Sequence, residues 1–286
     1  MPLGSSRATI LSIAIACAAA CSRHPALLRQ VEKLGLVNNI QRELIESVEA
    51  EKSAVVATTD EESKAFAEQS KRSAEQIDKL KTRLGKLIAE DDRPQETEKL
   101  AVFGAKWDEL KAIDARLLAL AVANTNLKAG RLLAKEGSAA LDRFVTAVDA
   151  MTLVCTDVTA IRSLSSAVSA IARIQALLFA HIPEASDAEM TTIEAKIRTL
   201  TATVDGALRA AGPSIPASAS DATADAAKAW ADYQRIAAEV TRLSRLNTNV
   251  ISFDVSTHEK RTATTACLGA LTELRSAIQA GPVATR

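Results

Sequence analysis

Few side chains in this sequence are of the kinds that carry out reactions. The three histidines are His24, His181 and His258, and none shares the HExxH or paired spacing that sets two imidazoles on one helix face. His181 is expected at the end of a helix and His258 about two turns into the last one, on the order of 12 Å along the axis. Solvated or capping roles are therefore expected in place of a shared metal. Of the four cysteines, Cys17 and Cys21 lie near the N-terminus, which leaves Cys155 and Cys267. Counted along their helices these two differ in height by about 14 Å, beyond the ~7 Å that a disulfide spans. Two free, buried thiols are expected. There is no glycine-rich phosphate loop, no nucleophile elbow and no Ser/His/Asp grouping set apart by spacing. The reading is of a protein with no catalytic residues, no metal and no cofactor.

The residues best placed to hold a polar solute are four asparagines, Asn124, Asn126, Asn247 and Asn249. They close two copies of one pattern, WDELKAIDARLLALAVANTN from Trp107 to Asn126 and WADYQRIAAEVTRLSRLNTN from Trp230 to Asn249. The tryptophans (230 minus 107) and the first asparagines (247 minus 124) recur at the same offset, 123. Between them the apolar stripe matches rung for rung, Leu110, Ile113, Leu117 and Leu120 against Tyr233, Ile236, Val240 and Leu243. Such self-similarity marks one helical unit used twice. Trp107 and Trp230 are expected to anchor the core. Asn124 and Asn247 continue the stripe, which allows two roles: capping at a bundle corner, or lining a pocket for a ligand.

The elements that position these residues are helices. Nearly half the residues are apolar but only 3% are aromatic, and the abundant Ala, Leu, Lys, Glu and Arg are good helix formers. Proline is excluded from helix interiors, so the proline-free stretches 26–93, 95–182 and 217–281 are where long helices fit. Apolar periodicity and capping residues predict seven: 26–57, 61–90, one ending at Asn124, a long fourth from Leu127 to Ile182, then 187–211, 221–246 and 250–280. The fourth would be about 55 residues and roughly 80 Å long, with its apolar seam shifted by a dropped residue near its middle. The expected fold is all-α: two stacked antiparallel four-helix bundles sharing that central helix, residues 26–152 in the first and 153–281 in the second.

At the N-terminus, Arg7 precedes the apolar run Ala8–Ala20, which ends Ala18-Ala19-Ala20-Cys21. A basic residue, a short apolar run and small residues before a cut site describe a secretory signal over residues 1–21. Its last residues are similar to a bacterial lipobox, with Cys21 as the lipidated residue and Cys17 as a competing site. No run of about 18 apolar residues is read beyond it. Thirty-five basic and thirty-five acidic residues cancel, so nothing points to nucleic acid. Residues 32–100 hold 28 charged side chains and the equally long 152–220 hold 11, which leaves the second half the better surface for docking another protein.

This arrangement resembles the four-helix-bundle sensor domain of bacterial methyl-accepting chemotaxis proteins, in a tandem, helical-bimodular-like form. The matching stretches are Glu51–Ala57 leading to Thr59-Asp60-Glu61-Glu62, Phe103–Trp107, Leu117–Ala121, Asn124–Asn126 and Glu136-Gly137. In the second half they are Trp230–Tyr233 and Ser244–Asn249. The resemblance implies a non-catalytic, periplasm-facing domain that binds a small organic acid or amino acid between helices. Receptors of that family relay through a second transmembrane helix and a signalling hairpin; this reading has neither, so the signal is expected to pass to a membrane signalling or envelope protein. The expected setting is the periplasmic face of a bacterial membrane, held by a lipid anchor, the alternative being a soluble periplasmic or secreted protein, with a homodimer among the assemblies allowed. The alternative is a structural or scaffolding envelope lipoprotein whose helical surface binds another protein.

Overall fold

A computed structural model describes the backbone of residues 6–281 and the side chains of residues 26–281. Among the described residues there is no strand. The helices are α1 (Ser6–Val56), α2 (Asp60–Asp91), α3 (Pro94–Ala123), α4 (Thr125–Leu132), α5 (Ser138–Val154), α6 (Val158–His181), α7 (Asp187–Ala211), α8 (Ser220–Leu246), α9 (Thr248–Val255) and α10 (Arg261–Gln279). The all-α class is as expected, and α2, α7 and α8 keep their expected ends to within a residue. A π-helical turn, Leu133–Gly137, joins α4 to α5, and another, Ser256–Lys260, joins α9 to α10. The two turns are also 123 residues apart (256 minus 133), so the duplication extends to a backbone irregularity.

The unbroken fourth helix is not found. The chain stops being helical at Val154 and resumes at Val158. Asp157 is the cause. Its backbone is extended and its carboxylate accepts from the amides of Thr159 and Ala160 at 2.8 and 3.4 Å, satisfying donors that a helix start leaves free. Ser214, before α8, donates to the other carboxylate oxygen at 2.6 Å. The Ser214 and amide hydrogen bonds hold the Asp157 carboxyl below its ordinary value. A capping aspartate ends one helix and begins another here without any proline.

The division of the chain also differs from the expected one. One compact unit holds residues up to 57, 61–122 and from 254 onward; the other holds 58–60 and 123–253. Unit 1 is thus α1, α2, α3 and the last helix, α10, while unit 2 is α4–α5 with α6, α7 and α8. The expected boundary at 152/153 does not coincide with this division, in which α4–α5 lies with α6–α8 and α10 lies with α1–α3. The chain changes unit after Val122 and again after Phe253. Each passage lies within six residues of an asparagine with positive φ, Asn124 (50°) or Asn247 (49°). A left-handed residue terminates a helix and turns the chain in a new direction; at Asn124 that turn coincides with the change of unit, whereas after Asn247 the chain stays in unit 2 through Phe253.

Each unit buries its own core. In unit 1 it is built on Val37, Ile40, Leu44, Ile77, Leu84, Phe103, Trp107 and Leu274; in unit 2 on Leu133, Phe144, Leu164, Ile171, Leu178, Trp230 and Val240. The buried positions align across the duplication. Val37, Ile40 and Leu44 of α1 correspond at offset 127 to Leu164, Ala167 and Ile171 of α6; Phe144, Val148 and Met151 of α5 correspond at offset 123 to Cys267, Leu271 and Leu274 of α10. By length and composition alone α6 is apolar enough to cross a membrane, which the sequence reading did not pick out; its inward stripe is core of unit 2. Cys155 and Cys267 are both free and buried, as expected, and burial pushes the Cys267 thiol up to about 12 against a small opposing pull from Lys81.

Candidate functional site

The two Asn-Thr-Asn stretches, separated by more than a hundred residues, meet within unit 2. The amide of Thr125 donates to Thr248 Oγ1 at 3.1 Å and the amide of Thr248 to Thr125 Oγ1 at 3.2 Å. One residue on, the amide of Asn126 donates to Asn249 Oδ1 at 3.2 Å and that of Asn249 to Asn126 Oδ1 at 3.1 Å. Each stretch therefore supplies the N-terminal cap of the other's helix, an exchange that satisfies free amides of α4 and α9 together. Asn126 Nδ2 donates to Asn247 Oδ1 at 2.7 Å and Asn249 Nδ2 to Asn124 Oδ1 at 3.0 Å. The remaining donors reach Ile182 O, Glu184 O and Asp60 Oδ1. The structure brings all four candidate asparagines together, and their polar groups are engaged with one another and with the chain around them.

Trp107 and Trp230 are core residues, 0% and 6% exposed. Each indole N–H donates to an aspartate on the preceding helix, Trp107 to Asp78 Oδ1 at 2.7 Å and Trp230 to Asp205 Oδ1 at 2.6 Å. A buried indole needs such a partner, which explains why Asp78 and Asp205 recur together with the tryptophans. In unit 1, Lys111 lies 5.7 Å from the Trp107 ring centre and binds both Asp78 oxygens. In unit 2, Tyr233 stacks on Trp230 at 6.0 Å and donates to the buried Gln175 at 2.9 Å.

Titratable groups are buried in three places. In unit 1, Lys33 binds Asp91 at 2.7 Å and Glu96 at 2.6 Å, with Arg29 on Asp91 and Arg93 near Glu96. Burial works against the Asp91 carboxylate, but hydrogen bonds from Lys33 and Arg29 outweigh it and hold the group below its ordinary value. Also in unit 1, Lys260 lies between Glu51, at 3.2 Å, and Asp114. In unit 2, His181 is fully buried, its Nδ1 2.8 Å from Ser244 Oγ and its Nε2 3.2 Å from Glu194 Oε1. This differs from the solvated or capping role expected of that histidine. Arg245 donates to Glu194 at 2.7 Å, and that bond is the main reason the carboxyl lies below its ordinary value. The spacing of Ser244, His181 and Glu194 resembles a nucleophile, a base and its orienting carboxylate. Ser244, however, is also 0% exposed and donates its proton to the carbonyl of His181 at 3.0 Å, so the hydroxyl holds a helix end and offers no face to a substrate.

Beside Glu194 a groove of about 420 Å³ runs between α7 and α8, with Arg198, Thr201, Trp230, Gln234 and Thr241 along it and Ile174 and Tyr233 beneath. It pairs an apolar floor with a few polar groups, the usual composition of a small-molecule site. His258 is exposed in the π-turn of unit 1, paired with Asp254. Among the described residues no group of three His, Cys, Asp or Glu side chains is placed to hold a metal ion. Cys21 lies outside the residues whose side chains are described.

Residues 29–160 match the four helix bundle sensory module for signal transduction. No curated protein and no solved structure matches the chain. The resemblance read from Glu51–Ala57, Trp107 and Asn124–Asn126 is thus shown over that stretch, which is the part of the chain running from α1 into the start of α6. Consecutive in sequence, the four helices of the sensory module are shared out in the fold: α1, α2 and α3 lie in unit 1, and α4–α5 lies in unit 2.

The buried charged side chains to which the sequence alone assigns no role are Glu51, Asp114 and Lys260. A signal was present. At the offsets of the duplication they correspond to Leu178, Ala237 and Gly137, so a buried charge stands in one copy where an apolar or small residue stands in the other.

Proposed function

We propose that this chain is a non-catalytic input protein that faces the periplasm, binds a small organic acid or amino acid, and passes its state to a membrane signalling or envelope protein. The observation that carries the reading is the match of residues 29–160 to a sensory module for signal transduction. The α7–α8 groove adds to it. Arg198 is a cation able to receive a carboxylate, beside the Trp230 and Tyr233 rings and the amide of Gln234. In this reading Cys21 carries the lipid that holds the protein at the membrane.

A thermal-shift screen of the mature chain against organic acids and amino acids tests solute binding. A specific ligand should raise the melting temperature with a dependence set by its affinity, and Arg198→Ala should abolish the rise. Asn124→Ala and Asn247→Ala should lower the baseline melting temperature yet leave the ligand-dependent rise, unless those asparagines are themselves the ligand contacts. A flat screen across both classes would count against the proposal. Incorporation of labelled palmitate should be lost in Cys21→Ala; label that survives replacement of both Cys17 and Cys21 would remove the anchor from it.

A further inference from the structure

We infer that the Glu51–Asp114–Lys260 cluster in the core of unit 1 is a proton-binding site, which makes that unit responsive to acidity. Glu51 is 0% and Lys260 1% exposed, and Asp114 is 7%. Two carboxylates face one ammonium, so with all three ionised the cluster holds an uncompensated negative charge inside an apolar bundle. That is a costly arrangement, commonly relieved by a proton. The other buried cluster of unit 1 differs in just this respect, since Lys33, Arg29 and Arg93 surround Asp91 and Glu96. Hydrogen bonding at the site is also incomplete: Lys260 Nζ is within ion-pair reach of Glu51 Oε2 and Asp114 Oδ1, and among the described residues Glu51 Oε1 has no hydrogen-bond partner.

No further charge enters from the neighbouring elements. Along α1 the next inward positions on either side of Glu51 are Ser47 and Ala54, in contact with Ser70 and Ser63 of α2. Between those contacts α2 buries Ala67, while Lys64 and Glu68 are exposed. On α3 the nearest charged residues are Lys111, bound to Asp78 and Asp108, and Arg116, paired at the surface with Glu259 of the π-turn; His258 and Arg261 are exposed, His258 paired with Asp254. Burial is the largest influence on Asp114 and raises its affinity for a proton; Lys260 opposes this and Glu51 reinforces it.

The second copy of the fold supplies the control. Leu178, Ala237 and Gly137 occupy the corresponding positions of unit 2, so a bundle of this design closes without the charges. Lys260 is also the last residue of the π-turn Ser256–Lys260. Proton uptake leaves Lys260 with a single anionic partner, and the turn that carries it is the element whose geometry responds. This reading does not depend on solute binding in unit 2 and is tested apart from it.

Linkage gives the sign. A carboxyl whose proton affinity is raised on folding makes the folded chain bind more protons than the unfolded one above about pH 3.9, the ordinary value for aspartate. Stability then falls as pH rises through the folded-state titration. The experiment is thermal unfolding of the full chain from pH 4.5 to 8 for the wild type, for Asp114→Asn, and for the triple variant Glu51→Leu, Asp114→Ala, Lys260→Gly, which installs the residues of unit 2. The wild type should lose melting temperature with rising pH, and both variants should lose most of that dependence. Hydrogen-exchange protection at residues 256–260, corrected for the base-catalysed intrinsic rate, should fall toward the high-pH end in the wild type alone. Carbon-13 NMR of the side-chain carboxyls in the unmodified protein, with Asp114 assigned, reads the site without any variant. A midpoint above the ordinary range supports the proposal, and a midpoint at or below it overturns it. So would a wild-type pH dependence retained in both variants, or stabilisation at pH 8 when sodium or potassium replaces choline at constant ionic strength, which would make the site one for a metal cation.

Discussion

At the scale of single residues, asparagine at 124 and 247 combines two properties that few side chains share: it accepts positive φ, and it carries both an acceptor and donors. The φ values of 50° and 49° make a simple prediction. Asn124→Gly should cost less stability than Asn124→Ala, by about 1 kcal/mol, because alanine must bear the left-handed strain that glycine avoids; denaturant unfolding of the two variants checks it, and equal losses would show that the side-chain bonds alone matter. Lys260 offers a larger effect. Lys260→Met leaves Glu51 and Asp114 buried together without a cation and should cost about 3–5 kcal/mol, measured by denaturant unfolding at neutral pH. Asp78→Ala removes the partner of the Trp107 indole; as Asp78 is partly exposed, the loss should be about 1 kcal/mol.

At the scale of elements, the sequence was legible wherever burial repeats with helical period. The stripe from Trp107 to Leu117 and its copy from Trp230 to Val240 are buried as read, and capping residues placed the starts of α2 and α7. Asp157 is the same kind of signal as Ser186, whose hydroxyl accepts from the Glu189 amide at the start of α7, but it sits inside a long proline-free stretch whose periodicity shifts rather than stops, so the break it makes reads as a change of phase. Asp157→Ala should fray α6 without unfolding unit 2, by freeing the amides it caps; faster hydrogen exchange confined to Val158–Ile161 is the expected result, and loss of protection throughout α6 would mean the cap has a wider role. The π-turns were not legible at all, since one extra residue in a turn leaves no mark on apolar spacing when it recurs in both copies. The partners of the asparagines were invisible for a different reason. Periodicity reports which face of a helix is inward, and it does not report which distant helix end lies opposite.

At the scale of the whole molecule, the duplication was plain in the sequence, yet the composition of each bundle was not. Neighbouring helices joined by short connections are expected to pack together, and that rule assigns α4–α5 to α1–α3. At Asn124 the left-handed turn overrules it, since α3 before it lies in unit 1 and α4 after it in unit 2; the second change of unit comes after Phe253, within α9. Both candidate last helices carry the same apolar register, so the pattern alone admits either closure. The central claim is that unit 1 is closed by α10 and unit 2 by α4–α5. Lys99 of α3 binds Glu273 of α10 at 2.8 Å, and the residue of α5 that corresponds to Glu273 at offset 123 is Ala150. With the other cysteines replaced, a short thiol cross-linker applied to the Lys99→Cys, Glu273→Cys pair should close the bridge rapidly within one chain, while Lys99→Cys, Ala150→Cys should remain open. Rapid bridging of 99 to 150, with 99 to 273 left open, would contradict the account and restore bundles built in sequence order.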